Sequence, residues 1–226
     1  MDLKKIAIVV AGGTGQRMGS VVPKQFLEIE HKAILTHTID QFVAAFSDIE
    51  LVVVLPDAYL KQGQEVLNKS KYKNTISYVA GGDTRFQSVK NGLSKITAPS
   101  IVFVHDAVRC LLTPALIQRC YQQAFEKGSA IPSVTATDTV RLLNGAQHQL
   151  LDRENIMLIQ TPQTFRSDIL LKAFEQKYQA SFTDEANVVE ASGVPVYLVD
   201  GEYENIKITR PLDLAIANYI LTKRFA

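Results

Sequence analysis

The apolar run Ile6–Ala11 gives way to Gly12, Gly13 and Gly15, and a buried strand that ends in a glycine turn leaves few architectures open. The same alternation continues downstream. Short apolar runs at Leu51–Leu55, Ile76–Val79, Ile101–His105 and Ala130–Val134 read as strands. Helical patterns fall near Ile34–Phe46, Tyr59–Lys69, Phe86–Ile96 and Pro114–Lys127, the last with a capping Thr113 and a proline in its first turn. This rhythm predicts an α/β fold built on a Rossmann-like, doubly wound, mainly parallel sheet. Such sheets bind ligands beyond the carboxyl ends of their strands. The glycine turn lies at one such end, and Asp106, just past Ile101–Val104, lies at another.

The rhythm breaks after Val134. Thr139–Leu143, Asn144-Gly145 and Ala146–Leu151 read as a β-hairpin with a type I′ turn, an arm inserted at about residues 136–156. A lone hairpin is marginal in water and needs something to pack against. Its own domain or a second subunit would serve, and the residues leave both open. Ser181–Ala186 starts a helix with acidic residues near its amino end, Val196–Val199 reads as a strand, and Thr209–Asp213 opens a terminal helix. With no repeat, linker or low-complexity tract, residues 1–226 are expected to form a single domain.

The glycine turn also carries chemistry. Backbone amides can point inward at Gly12, Gly13 and Gly15, and two cations follow, Arg17 and Lys24, on either side of the Pro23 break. Together they suit a ligand with several phosphates. A dinucleotide fingerprint would need glycine where Met18 stands, which disfavours an NAD-dependent oxidoreductase. A Walker P-loop needs Gly-Lys-Ser/Thr, whereas Lys24 follows Pro23. The net charge of +1 gives no bulk attraction for nucleic acid, so a phosphate site must come from local cations.

No signal-like segment precedes the first strand and no apolar run approaches membrane-spanning length. Cys110 and Cys120 are too few for a disulfide framework, and the four histidines lack metal-ligand spacing. A cytoplasmic protein with reduced thiols is expected.

Gly81–Arg85 is a second polar glycine turn, where backbone amides with Asp83 and Ser88 could read a base edge; its place at the expected ligand edge favours that over an ordinary turn with an Asp cap. Asp106 could face Mg²⁺ or a sugar hydroxyl, or cap a neighbouring turn. Taken singly, Arg153 and Lys207 read as solvated charges, and Thr161-Pro162-Gln163 as a rigid polar corner.

In order along the chain, Ala11–Gly19, Pro23-Lys24-Gln25, Gly81-Gly82-Asp83, His105-Asp106-Ala107, Asp138-Thr139, Asp152-Arg153, Gln160–Gln163, Thr183-Asp184-Glu185 and Asn205-Ile206-Lys207 resemble the motifs of a nucleotidyltransferase family. The closest likeness is to the 2-C-methyl-D-erythritol 4-phosphate cytidylyltransferases of the non-mevalonate isoprenoid pathway. That resemblance implies transfer of a cytidylyl group from CTP to a polyol phosphate, with Mg²⁺ and release of pyrophosphate. It implies that Arg17 and Lys24 stabilise the transition state and that Ala11, Gly12, Gly13, Thr14 and Gly15 hold the triphosphate. Gly82, Asp83, Ser88 and Ala107 would contact cytidine. Arg153 and Lys207 would hold the acceptor phosphate, helped by Thr139, Thr161 and Thr183, with Asp106 between metal and polyol. It further implies a homodimer whose arm delivers Thr139 and Arg153 to the neighbouring site. Ala11-Gly12-Gly13 and Val108 also resemble the sister ribitol 5-phosphate cytidylyltransferases, whereas Asp152–Asn155 resembles the methylerythritol enzymes. A nucleotide-binding module without catalysis is the alternative from another class; simple capture does not need two cation pairs.

Overall fold

The computed structural model describes residues 3–12, 22–68 and 75–225. The chain begins with β1 (Lys4–Val10), a small hairpin of β2 (Glu28–Ile29) and β3 (Lys32–Ala33), α1 (Ile34–Ala45), β4 (Glu50–Leu55) and α2 (Leu60–Asn68). It continues through β5 (Ile76–Ala80), α3 (Arg85–Leu93), β6 (Ser100–Asp106), α4 (Pro114–Lys127) and β7 (Ser129–Thr135). The arm is β8 (Val140–Asn144) and β9 (Gln147–Leu151), after which come β10 (Met157–Ile159), β11 (Gln163–Arg166) and α5 (Ser167–Ala173). The last elements are α6 (Glu185–Ala191), β12 (Leu198–Asp200) and α7 (Pro211–Phe225).

β5, β4, β1 and β6 lie side by side and parallel. β11 then enters antiparallel between β6 and β7, β10 joins β7 antiparallel, and β12 joins it parallel. The middles of β1, β4 and β6 are apolar because both of their faces are covered, whereas β5 at the edge is only half-buried. Ala7 and Val9 pack on one side with Phe42, Leu116 and Ile117, while Ile6 and Ile8 pack on the other with Val89, Leu93, Leu170 and Val188. α4 stops where Gly128 takes φ 93°, a left-handed conformation that suits glycine at a helix end.

The structure moves several expected boundaries. The strand expected at Ile6–Ala11 spans Lys4–Val10, and the helix expected at Phe86–Ile96 spans Arg85–Leu93. Asp106 is the last residue of β6 rather than the first beyond it. The strand expected at Val196–Val199 begins at Leu198. The end of the Tyr59–Lys69 helix, at Lys69, lies outside the described residues.

The arm turn differs from the expected type I′ pair. Asn144 pairs with Gln147, so Gly145 and Ala146 are the turn residues, and of these only Gly145 (φ 61°) is left-handed. Glycine at the first turn position with an ordinary second residue is the II′ pattern. The two left-handed residues of an I′ turn occur instead at Glu30 (φ 49°) and His31 (φ 60°), between β2 and β3.

No strand is expected from the sequence at β10, although Met157-Leu158-Ile159 is apolar, and β11 has no apolar run. In β11, Gln163 and Thr164 are buried with Phe165. Gln163 is satisfied there: its Nε2 donates to Asp184 Oδ2 at 3.0 Å, and its Oε1 accepts from the Ala186 N–H at 2.8 Å. Buried polar groups persist where such partners exist.

Candidate active site

The carboxyl ends of four parallel strands meet in register. Val10 pairs with Val54 and Asp106, and Leu55 pairs with Ala80. The strand-end loops are tied back to the sheet: Ala11 N–H donates to Val54 O at 2.8 Å, Gly81 N–H to Leu55 O at 2.8 Å, and Ala107 N–H to Val10 O at 3.0 Å. Above them opens a cleft of about 300 Å³, lined by Ala11, Gly12, Lys24, Gly82, Asp83, Arg85, Ser88, Asp106 and Lys207 among others.

Each wall has a local cause. After Pro23 the chain makes a short 3₁₀ turn, Lys24–Phe26, which buries Lys24 and Gln25. Gln25 Nε2 donates to Ala11 O at 3.0 Å and Lys24 Nζ to Ile208 O at 3.3 Å, so this turn closes onto the first strand end and onto the Asn205–Thr209 segment. Opposite, Thr84 caps α3 by accepting the Gln87 N–H at 3.0 Å. Ser88 Oγ accepts the Gly82 N–H at 3.1 Å, curling the glycine turn over the helix. A Cβ at Gly82 would collide with the Gln87 side chain, so the turn can approach α3 this closely only with glycine.

Asp106 gathers the charge. Lys207 Nζ lies 2.7 Å from its Oδ2, Arg85 Nη2 3.3 Å from its Oδ1, and Arg109 Nε 3.8 Å from Oδ2. Burial pushes its carboxyl up, but Arg85, Lys207 and Arg109 outweigh burial and hold it well below the usual carboxylate range. Arg85 also donates from both Nη atoms to Glu185, through Nη2 at 2.9 Å and through a shorter Nη1 contact. Burial lowers the Arg85 pKa, and the Glu185 and Asp106 carboxylates more than reverse this. Burial pushes Glu185 upward, with Arg85 opposing.

Beneath Asp106 runs a chain of hydrogen bonds with one fixed direction. His105 Nε2 lies 3.3 Å from Arg109 O, which only accepts, so Nε2 carries the proton and Nδ1 accepts. The Thr161 hydroxyl therefore donates to Nδ1 at 3.0 Å and accepts the Asp106 N–H at 3.1 Å. Burial pushes the His105 pKa down to about 3, keeping the ring neutral. Unfolded histidine titrates near pH ~6.5, so between there and about pH 4.5 the unfolded chain takes up a proton that the fold refuses. The fold should then lose about 1.4 kcal/mol per pH unit from this residue as pH falls. In His105→Asn, which keeps an acceptor for Thr161, that slope should flatten by about one proton in denaturant titrations across the window. Equal slopes would refute the assignment.

The structure brings Ala11, Gly12, Lys24, Gly82, Asp83, Ser88, Asp106 and Lys207 to one cleft. Thr161 lies buried below it, and Ala107 is buried with its N–H given to Val10 and its carbonyl accepting from Thr38. Thr183 is exposed and donates to Asn187 Oδ1 at 2.6 Å. Thr139 and Arg153 are exposed at the arm; Arg153 Nη1 donates to Thr137 O at 2.9 Å, and neither residue lines this cleft. Gly13, Thr14, Gly15 and Arg17 lie outside the described residues. Arg85, Arg109 and Glu185 were not singled out from sequence, because their meaning lies in pairings across the fold.

A model of the family described as IspD: 2-C-methyl-D-erythritol 4-phosphate cytidylyltransferase matches residues 5–223. The chain is 42% identical over 219 residues to a protein of that name from Bacteroides thetaiotaomicron, covering 97% of this chain and 100% of that one. The crystal structure of a 4-diphosphocytidyl-2C-methyl-D-erythritol synthase from Anaerococcus prevotii matches with TM-score 0.83 and 27% identity, covering 98% of this chain and 100% of that one. A Francisella tularensis 2-C-methyl-D-erythritol 4-phosphate cytidylyltransferase matches with TM-score 0.78 and 33% identity, covering 96% and 99%.

Proposed function

This chain belongs to the 2-C-methyl-D-erythritol 4-phosphate cytidylyltransferase family, and we propose that the cleft at its strand ends is where the family's reaction takes place. The enzyme joins CTP to 2-C-methyl-D-erythritol 4-phosphate, giving 4-CDP-2-C-methyl-D-erythritol and pyrophosphate in isoprenoid precursor synthesis. An acceptor phosphate oxygen attacks the α-phosphorus in line; a new P–O bond forms as the bond to the β-phosphate breaks, and pyrophosphate leaves with the electron pair. Such chemistry rests on positioning and charge stabilisation. The observation that carries the placement is the meeting of Lys24, Lys207, Arg85 and Asp106 with Gly12 and Gly82 in one cleft.

In this reading Lys24, with Arg17, stabilises the transferring phosphoryl group, and Ala11, Gly12, Gly13, Thr14 and Gly15 cradle the triphosphate. Gly82, Asp83 and Ser88 meet cytidine, with Ala107 buried behind that wall. Lys207 and Arg153 take the acceptor phosphate, Asp106 the polyol, and Thr139, Thr161 and Thr183 shape that side. Among the described residues no group of three or more His, Cys, Asp or Glu side chains could hold a metal ion. The cleft instead offers carboxylates beside a place for phosphates, which is how Mg²⁺ is commonly held. Asp106 already faces Lys207, Arg85 and Arg109, so we propose that Mg²⁺ would be held chiefly by the nucleotide phosphates, where it would neutralise charge.

Exposed apolar side chains support dimerisation through the arm: Leu142, Leu143 and Leu150 are 54%, 75% and 57% accessible. Among the described residues no helix is long and apolar enough to cross a membrane. Free, buried Cys110 and Cys120, with thiols pushed up to about 12 by burial, suit a reducing cytoplasm. Pyrophosphate release should require CTP, the methylerythritol phosphate and Mg²⁺ together. Faster turnover of ribitol 5-phosphate in a parallel assay would transfer the assignment to that acceptor.

A further inference from the structure

Glu185 is almost wholly buried, and the reaction described above gives it no task. Both of its oxygens accept from Arg85, the first residue of α3, from which Nη2 also reaches Asp106. Glu185 stands at the start of α6, 100 positions along the chain, where Asp184 caps the helix by accepting the Asn187 N–H. Gln163 locks that corner by bonding Asp184 and the Ala186 N–H. Glu185 is therefore fixed from behind while it grips a guanidinium that faces the cleft.

We propose that Glu185 is a positioning residue that keeps Arg85 from closing on Asp106. A guanidinium beside a lone carboxylate prefers the two-pronged pair. Here Glu185 takes that pair, and Arg85 gives Asp106 a single, longer bond of 3.3 Å. Asp106 thereby stays oriented while retaining acceptor capacity for a hydroxyl of the polyol. The nucleotide side of the cleft is built without Glu185, since the Gly82 turn is held by Ser88 and Thr84 and the Lys24 turn by Ala11 and Ile208. Loss of the Glu185 charge should thus affect the acceptor and spare the nucleotide. The inference rests on the reading that Asp106 meets the acceptor.

Glu185→Gln tests it, because the uncharged amide replaces one of the two acceptor oxygens with an NH₂ that only donates, so the two-pronged pair is lost. The KM for the methylerythritol phosphate should rise about tenfold or more, the worth of a hydrogen bond to a charged group. The CTP dissociation constant, measured by calorimetry without acceptor, should stay within about threefold. Arg85→Lys should show the same split, since an ammonium cannot form the planar two-pronged pair with Glu185. An unchanged acceptor KM, or acceptor and nucleotide constants that worsen together with a lowered thermal midpoint, would overturn the proposal. So would failure of both variants to fold, which would make the pair a structural tie alone. The wild-type enzyme in the same assay separates the two readings: if it does not turn over these substrates the function assignment fails, whereas an active wild type beside an unaffected Glu185→Gln removes only the positioning role.

Discussion

Lys24→Ala should lower kcat about a thousandfold while the CTP dissociation constant moves by less than about tenfold. Lys24 sits in a buried turn, with Nζ bonded to Ile208 O and the next side chain, Gln25, bonded to Ala11 O. The ammonium is placed before substrate arrives, so little reorganisation is needed during reaction. In a partly dehydrated cleft, a fixed charge aimed at a developing negative charge gains strength that it would lack in water. Phosphate in the bound nucleotide is already charged, so some of the loss should appear in binding. The larger part should appear in kcat, because charge redistributes over the transferring phosphoryl oxygens as the bonds change. Single-turnover kinetics beside equilibrium CTP binding distinguish the cases. Equal losses in both would make Lys24 a ground-state anchor.

The parts of the fold that could be read in the sequence are those whose side chains have one possible environment. β1, β4 and β6 are covered on both faces, so their apolar runs are unbroken and stand out. α4 was legible at both ends because a Thr-Pro start and a glycine stop are local signals. β11 was hidden, since Gln163 and Thr164 are buried by virtue of partners supplied far along the chain. The turn at Glu30-His31 was hidden as well: glutamate does not signal a left-handed conformation, histidine does so only weakly, and β2 and β3 have only two residues each. The same division runs through the site. Glycine turns and the Lys24 break are local motifs. The Arg85–Glu185 pair joins positions 100 apart, and neither the Gly81–Arg85 turn nor the Thr183-Asp184-Glu185 motif shows that the two side chains meet. Asp106 stood out at a strand end, but its link through Thr161 to His105 had no local sign.

Mixing two inactive variants should restore activity if the arm serves the neighbouring subunit. Arg153 is exposed at the foot of β9 and is not among the residues lining its own cleft, while the arm leucines face solvent on the single chain. In a homodimer with exchanged arms, each site combines one subunit's Lys24 with the partner's arm. Lys24→Ala spoils the body of a site, and Arg153→Ala spoils the arm that serves the other. A mixed dimer then has one doubly damaged site and one intact site. With random exchange about half the dimers are mixed, so the mixture should regain about a quarter of wild-type turnover per site. Each variant alone should remain nearly inactive at matched acceptor concentration. The recovery must also require subunit exchange, so it should grow with incubation and disappear when the variants are mixed at the moment of assay. If Arg153 worked on its own subunit's cleft, every site in every mixture would carry one lesion and no recovery would appear. A chain that sediments as a monomer at micromolar concentration would give the same flat result for a different reason, and measuring mass beside activity tells the two apart.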